Sequence, residues 1–409
     1  MNSSFSISLL FSIIIILFSG CTTPEKTATL KPGMWRATIN VQGSDLPFNF
    51  EVRHEKGLEI YLQNGEERIQ LDEVRIEKDS FYIPMHIFDA DLKGTIKNNR
   101  LQGRWTKNYA EDYSLDFTAT YGQSHRFEPT ELKPQDFNGK WRVTFIHADD
   151  QDTTEAVGIF GQTGTAITGT FLTPTGDYRY LEGTAYGKEL KLSTFDGGHA
   201  FLFSARLNAQ NELVGDFWSG KRWHETWSAV RDEAAALPDP DSLTYIKEGH
   251  DGLTFSFPDL EGKMVSLDDY KGKVVILDIF GTWCPNCMDE TKFLKKWYDD
   301  NRHRGVEVLG LAYEAKDDYE YAKSRVEHMK NKWDIQYNML IAGTLDKKEA
   351  AKTLPMLNHV LAFPTTIFID KNGEVKRIHT GFTGPGTGHY YEQFIKEFNE
   401  TVDELVAQN

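Results

Sequence analysis

The sequence predicts a multidomain chain: an all-β N-terminal region, built as a barrel or sandwich, followed by a C-terminal α/β domain. Three observations predict it. Short alternating apolar runs separated by Gly, Asn and Asp fill residues 34–231, with little helical periodicity. The Pro-containing stretch Ala234-Ala235-Ala236-Leu237-Pro238-Asp239-Pro240-Asp241 then breaks the pattern. Beyond it, strand-like apolar runs alternate with helical stretches, the grammar of an α/β layer.

The first element is an apolar run at residues 7–18, followed by Ser19-Gly20-Cys21. It is shorter than the roughly 20 residues a membrane-spanning helix needs. It fits the apolar part of a secretory signal, with small residues at the cleavage point. Residues 17–21 resemble a bacterial lipoprotein signal, which implies that Cys21 is lipidated and anchors the mature chain to a membrane of the cell envelope. Two departures stand against that resemblance: no Lys or Arg precedes the run, and Phe18 is bulky. An ordinary cleaved signal and a free cysteine remain the alternatives. Export would place the remaining cysteines where disulfides persist. The expected organisation is a signal at 1–20, a tether at 21–31, a β-rich region at 32–232, a linker at 233–250 and the α/β domain at 251–409.

Within the β-rich region there is a weak internal repeat. Pro32-Gly33-Met34-Trp35-Arg36-Ala37-Thr38-Ile39 resembles Asn138-Gly139-Lys140-Trp141-Arg142-Val143-Thr144-Phe145, and Leu101 to Trp105 has a counterpart in Leu213 to Trp218. Two related halves, 32–127 and 135–232, or one body made of both, are predicted. Six of the nine tryptophans precede Arg231 and are expected to fill β cores. Trp218, Trp223 and Trp227 are alternatively placed to line a binding face. In the α/β domain, strands are predicted at Val274–Phe280, 306–312 and 366–369, and helices at Pro285–Asn301, 317–332 and 389–406. Lys371-Asn372-Gly373 reads as a hairpin turn.

Net charge over the 409 residues is −16, with no basic footprint for nucleic acid. Only three cysteines are present: Cys21, Cys284 and Cys287. A disulfide-stapled scaffold is therefore excluded. Trp283-Cys284-Pro285-Asn286-Cys287 carries a C-x-x-C pair from the end of a predicted strand to the start of a predicted helix. The helix N-terminus offers unpaired N–H groups and partial positive charge, which favour thiolate over thiol. A zinc site would need two further ligands, and haem attachment would need His where Met288 stands, so no metal or other cofactor is expected.

Residues 252–407 resemble the TlpA/ResA-like branch of the thioredoxin family. The matching residues are Leu260-Glu261-Gly262-Lys263 with Val265-Ser266-Leu267 and Tyr270-Lys271-Gly272-Lys273, then Trp283 to Cys287, then Ala362-Phe363-Pro364-Thr365-Thr366-Ile367-Phe368-Ile369-Asp370. The resemblance implies a thioredoxin-like fold and thiol–disulfide exchange. Cys284 would attack, and Cys287, one turn further in, would resolve the mixed disulfide, the two forming a redox-active disulfide. Pro364 would be cis and expose the backbone of Phe363 to substrate, with Trp283 forming the adjoining surface. Asp278, inside an apolar run, would move a proton to and from the resolving thiol, and Glu314 would be a second acid near the site. The implied partners are exported thiol or disulfide proteins and a membrane-bound electron donor, and the implied setting is cytochrome c maturation or the upkeep of other exported thiol proteins.

Three rivals stay open. A thiol peroxidase shares the lead-in hairpin, although Gly281-Thr282-Trp283 precede the cysteine here. A copper-delivery module would need C-x-x-x-C spacing, which is absent. Alternatively, the β region is the working part, a binding domain with an accessory redox domain. The Gly-rich stretch Gly381-Phe382-Thr383-Gly384-Pro385-Gly386-Thr387-Gly388 lacks a Walker ending and reads as a flexible loop into the last helix.

Overall fold

The computed structural model describes residues 28–55, 57–128 and 132–408; the expected signal segment and Cys21 lie outside the described residues. In the β region, period-2 alternation decides which face is inside. Strand Gly33–Val41 turns Trp35, Ala37, Ile39 and Val41 inward and leaves the residues between them partly exposed. Two nine-stranded antiparallel sheets follow one another along the chain. In the first, Ser114–Tyr121 returns beside Gly33–Val41, while the edges Glu67–Leu71 and Arg75–Glu77 stay apart, so the sheet curls into a half-barrel. In the second, Trp223–Arg231 returns beside Gly139–His147, and Thr153–Thr163 pairs with Ala166–Thr173, closing eight strands into a barrel. The short strand Gly176–Asp177 pairs with the end of Ala166–Thr173 as an outer flap.

The repeat has a structural counterpart. Trp35 and Trp141 occupy equivalent first strands, and each donates its indole N–H to the carbonyl four residues earlier, Lys31 at 3.0 Å and Phe137 at 3.1 Å. Leu101 and Leu213 lie on the next-to-last strands of their sheets. Aromatic side chains fill the closed barrel: Phe203 stacks on Phe217 at 4.3 Å and on Phe171 at 4.8 Å, with Phe145 and Trp227 packed against them. Each fully buried ring of this kind contributes about 1.5–3 kcal/mol, so the interior is a packed core. Trp227 belongs to it. Trp218 and Trp223 instead stack outside on His224 and His147.

The α/β domain centres on Val274–Phe280, buried at every position as a strand covered on both faces must be. It pairs in parallel with Val306–Glu314 and antiparallel with Thr365–Ile369; Asn338–Thr344 and Val375–Thr380 complete the five-stranded sheet. Its helices are α1 (Pro285–Asn301), α2 (Tyr319–Trp333), α3 (Lys347–Thr353) and α4 (His389–Ala407). Among these described residues no helix is long and apolar enough to cross a membrane.

Several sequence expectations need correction. The strand predicted at 306–312 runs two residues further and ends on Glu314. Helix α2 starts two residues later than expected, because the Asp318 carboxylate caps it by accepting from the Tyr321 N–H. Strand Asn338–Thr344 and α3 carried too few residues for a period to show. The stretch 381–388 is no flexible loop. A Cβ on Gly381 would meet the Thr175 carbonyl carbon at 2.9 Å, and one on Gly386 would meet that of Arg179 at 2.9 Å. These glycines let the barrel flap seat against the α/β domain.

The three bodies share buried surface. One hydrophobic cluster runs from Met85, Ile87 and Phe88 of the half-barrel to Cys284 and Met288. Helix α2 docks on the half-barrel through Tyr321 to Asp89 (3.0 Å), Lys332 to Asp72 (2.8 Å) and Arg325 to the Ile87 carbonyl. The predicted linker lies along the α/β domain, with Asp241 accepting from Arg377 at 2.6 Å and bonded to His379 at 2.8 Å.

Candidate active site

The strand Val274–Phe280 delivers the chain to Cys284, which is the N-cap of α1, and Pro285 occupies the first turn where its missing N–H costs nothing. Cys284 and Cys287 are joined as a disulfide. The Cys284 sulfur accepts the Cys287 N–H at 3.2 Å and lies 3.4 Å from the Phe363 carbonyl oxygen. Cys284 is 6% exposed and Cys287 0%, so only the first can meet a partner sulfur. The Phe363–Pro364 peptide is cis. Trp283 donates its indole N–H to the Tyr313 carbonyl at 2.9 Å, and its ring meets Phe363 edge-on at 5.6 Å. Trp283, Cys284, Phe363 and Pro364 are thus brought together, the grouping that the resemblance implies.

Two buried acids lie on the strand and the helix that flank the disulfide in the chain. Asp278 is buried in its strand with neither carboxylate oxygen hydrogen-bonded among the described residues. Burial, and then the neighbouring Glu290 charge, hold its carboxyl well above the usual range. Glu290 stands three residues after Cys287 on α1 and accepts from the Thr366 hydroxyl at 2.5 Å. Burial pushes it up to about 8. At neutral pH this pair therefore retains a proton inside the domain, where Cys287 has no contact with water. Glu314 is also buried, and it accepts from both the N–H and the hydroxyl of Thr282 at 2.8 Å each. Burial pushes it up to about 7, against the pull of those bonds. It braces the turn before Cys284 rather than facing solvent.

Sequence reasoning passed over Glu290, although an acid one helical turn from Cys287 was a readable signal. It also passed over the barrel residues at this site, which carry no local signal because their partners are more than 100 residues away in the chain. The Asp177 carbonyl accepts from the Asn286 side chain at 2.9 Å, and its carboxylate accepts from the Gly384 N–H at 2.7 Å. Burial pushes the Asp177 carboxyl up to about 6. The anion-binding capacity of the Gly-rich stretch is thus occupied by a carboxylate of the same chain. Arg179 is buried and reaches three acids: Asp289 of α1 (2.8 and 3.1 Å), Asp196 of the barrel (2.7 Å) and Glu67 of the half-barrel (2.5 Å). Burial opposes charge on Arg179, but Asp289, Glu67 and Asp196 outweigh it and hold the guanidinium firmly protonated. One side chain ties all three bodies together beside the cysteine pair.

Comparison with known proteins agrees with this geometry. The AhpC/TSA family matches residues 249–378. The thiol-disulfide oxidoreductase ResA of Halalkalibacterium halodurans is 28% identical over 156 residues, covering 38% of this chain and 77% of that protein. The ResA of Geobacillus kaustophilus is 33% identical over 104 residues, covering 25% of this chain and 52% of that protein. The chain thus spans about three quarters of the first of these relatives and about half of the second. Among solved structures, a thioredoxin-family thiol:disulfide interchange protein from Chlorobium tepidum TLS aligns with a TM-score of 0.30 at 22% identity, covering 42% of this chain and 100% of that one. A DsbF homologue from Corynebacterium diphtheriae aligns with a TM-score of 0.29 at 19% identity, covering 41% of this chain and 97% of that one. A C-x-x-C disulfide at a helix start in such a domain supports oxidoreductase activity. The C-terminal part of the chain thus carries a C-x-x-C disulfide in a thioredoxin-like α/β fold and is similar in sequence to the thiol-disulfide oxidoreductase ResA.

Proposed function

We propose that this chain is an exported, membrane-anchored reductase of protein disulfides. The observation that carries the redox reading is the Cys284–Cys287 pair at the start of α1, with Cys284 against the Phe363 carbonyl. In the reduced protein the Cys284 thiolate attacks one sulfur of a substrate disulfide and expels the other as a thiolate, which takes up a proton. Cys287 then loses its proton to the Asp278/Glu290 pair and attacks the Cys284 sulfur. The second substrate sulfur leaves as a thiolate and takes that proton back from the acid pair, and Cys284–Cys287 remains oxidised. Two electrons have passed to the substrate, and an electron donor in the membrane returns the pair to the dithiol. Glu314 acts through Thr282 as a positioning residue. Trp283, Phe363 and Pro364 form the surface on which the substrate chain lies. Export and anchoring rest on residues 7–21, with Cys21 as the lipidated position.

A second reading, a thiol peroxidase, has the AhpC/TSA match in its favour. The C-x-x-C pair and the ResA relatives favour disulfide exchange. The deciding experiment measures the reduction potential of the pair and assays disulfide reduction beside peroxide turnover. A potential near about −270 mV with disulfide reduction abolished in Cys284→Ser supports the reductase; one near about −120 mV indicates an oxidant. Peroxide turnover without disulfide exchange refutes the reductase and the oxidant alike and supports the peroxidase.

A further inference from the structure

Above Cys284 the protein holds a cavity of about 280 Å³, and half of its lining comes from the closed barrel. Tyr178, His199 and Phe201 form the barrel wall, with Thr175 of the flap at its lip; Trp283, Cys284 and Phe363 form the facing wall. The barrel wall is rooted in packed aromatics. Tyr178 lies 5.3 Å from Phe217 and 5.4 Å from Phe201, and the His199 ring stacks on Phe201 at 4.4 Å. It is also pinned to the redox domain by the Asp177 bonds to Asn286 and Gly384, and by Arg179 on Asp289. A disulfide that reaches Cys284 must therefore pass its neighbouring groups between two aromatic walls. The volume is at the small end of ligand cavities, roughly 300–1,000 Å³, so it accommodates the groups next to the attacked sulfur and little more. Asp177, the acid in the lining, turns its carboxylate to the Gly384 N–H, and Lys347 stands exposed at the rim, so the two facing walls present mainly aromatic rings.

We propose that the barrel is the specificity element of the redox site: Tyr178, His199 and Phe201 receive the group flanking the substrate sulfur and favour aromatic or apolar flanks over charged ones. This rests on the disulfide-exchange reading above. It gives the second β module a role in that chemistry, and it makes the substrate choice a property of residues more than 80 positions before the cysteines.

The test uses the full-length protein, reduced, and two probes. Each probe is a symmetric disulfide of a seven-residue peptide with one cysteine, flanked by Phe and Leu in one and by Asp on both sides in the other. Second-order rates are followed by tryptophan fluorescence, and alkylation of Cys284 by iodoacetamide reports the thiolate independently. The expected result is about a tenfold or larger preference for the Phe/Leu probe, the range one pocket contact supplies. Phe201→Ala should reduce that preference, as should Thr175→Asp, which places a charge at an exposed position of the lip; neither should change the iodoacetamide rate. Equal rates on both probes, an Asp preference set by Lys347, or variants that slow both probes alike would overturn the inference while leaving the oxidoreductase reading in place. Exchange with neither probe, despite normal alkylation, would overturn that reading and the inference with it.

Discussion

Replacing Arg179 by methionine keeps much of the side-chain length and removes the cation that Glu67, Asp196 and Asp289 share. Lys292 at 3.8 Å from Asp289 and His199 at 3.3 Å from Asp196 remain as partial substitutes, so Glu67 loses most. Burial already raises the Glu67 carboxyl in the presence of Arg179. Leaving buried charge unpaired costs about 3–5 kcal/mol. An acid can limit that cost by taking up a proton. At about 1.36 kcal/mol per pH unit above an ordinary value near 4, this amounts to about 4 kcal/mol at pH 7 and about 1 kcal/mol at pH 5. The sign follows. In the variant the native acids hold protons that the unfolded chain has released, so stability is present at low pH and is lost as pH rises. The assay is urea unfolding of the full chain at pH 5 and pH 7, followed by tryptophan fluorescence, comparing the first transition with that of the unaltered protein. A loss of the same size at both pH values, or none, would show that Arg179 is not balancing buried acids.

Other consequences are equally direct. In the Asp278→Asn/Glu290→Gln double variant, both raised carboxyls are gone. The unaltered protein should lose stability as pH climbs from about 4 through about 8, and the variant should lose less over that window by urea midpoint, the remaining slope coming from Glu314 and Asp177. The same variant should release product from the mixed disulfide about 10²-fold more slowly at pH 7 in single-turnover measurements; an unchanged rate removes the pair from proton transfer. Glu314→Gln should erase an inflection near pH 7 in the alkylation rate of Cys284, and an unchanged curve takes Glu314 out of the site's electrostatics. Gly386→Ala pushes a Cβ to 2.9 Å from the Arg179 backbone, so a shift costing about 1–3 kcal/mol is expected. It should appear as faster alkylation of reduced Cys284, with identical rates counting against the seated flap.

How far the sequence could be read varied with the range of the interaction. The buried run around Asp278, the helix starting at Pro285 and the Lys371-Asn372-Gly373 turn are local patterns, and each stands where spacing placed it. The equivalence of Trp35 and Trp141 was legible as a repeat, but whether each half closes was not. Closure depends on one extra pairing, Thr153–Thr163 with Ala166–Thr173, which the first half lacks. The Gly-rich stretch misled for the same reason: glycine marks both freedom and close approach, and only Thr175 and Arg179, some 200 residues away, decide between them. The Cys284–Cys287 pair was legible in the sequence; the wall that faces it was not.

The hydrophobic cluster that joins Met85 and Phe88 to Cys284 and Met288 has a consequence for how this chain can evolve and be engineered. Redox domains are often thought of as interchangeable cartridges. Here the boundary near residue 250 divides the chain but not the core. A graft of residues 251–409 onto another carrier would carry raw apolar surface along α1 and α2, together with an orphaned Asp289. The half-barrel left behind would lose the cover over Met85, Ile87 and Phe88 while keeping Phe195 of the closed barrel packed on Phe48 and Trp105. The half-barrel and the redox domain are therefore constrained to change together, and a substitution at Phe88 is as much a change to the cysteine site as one at Met288.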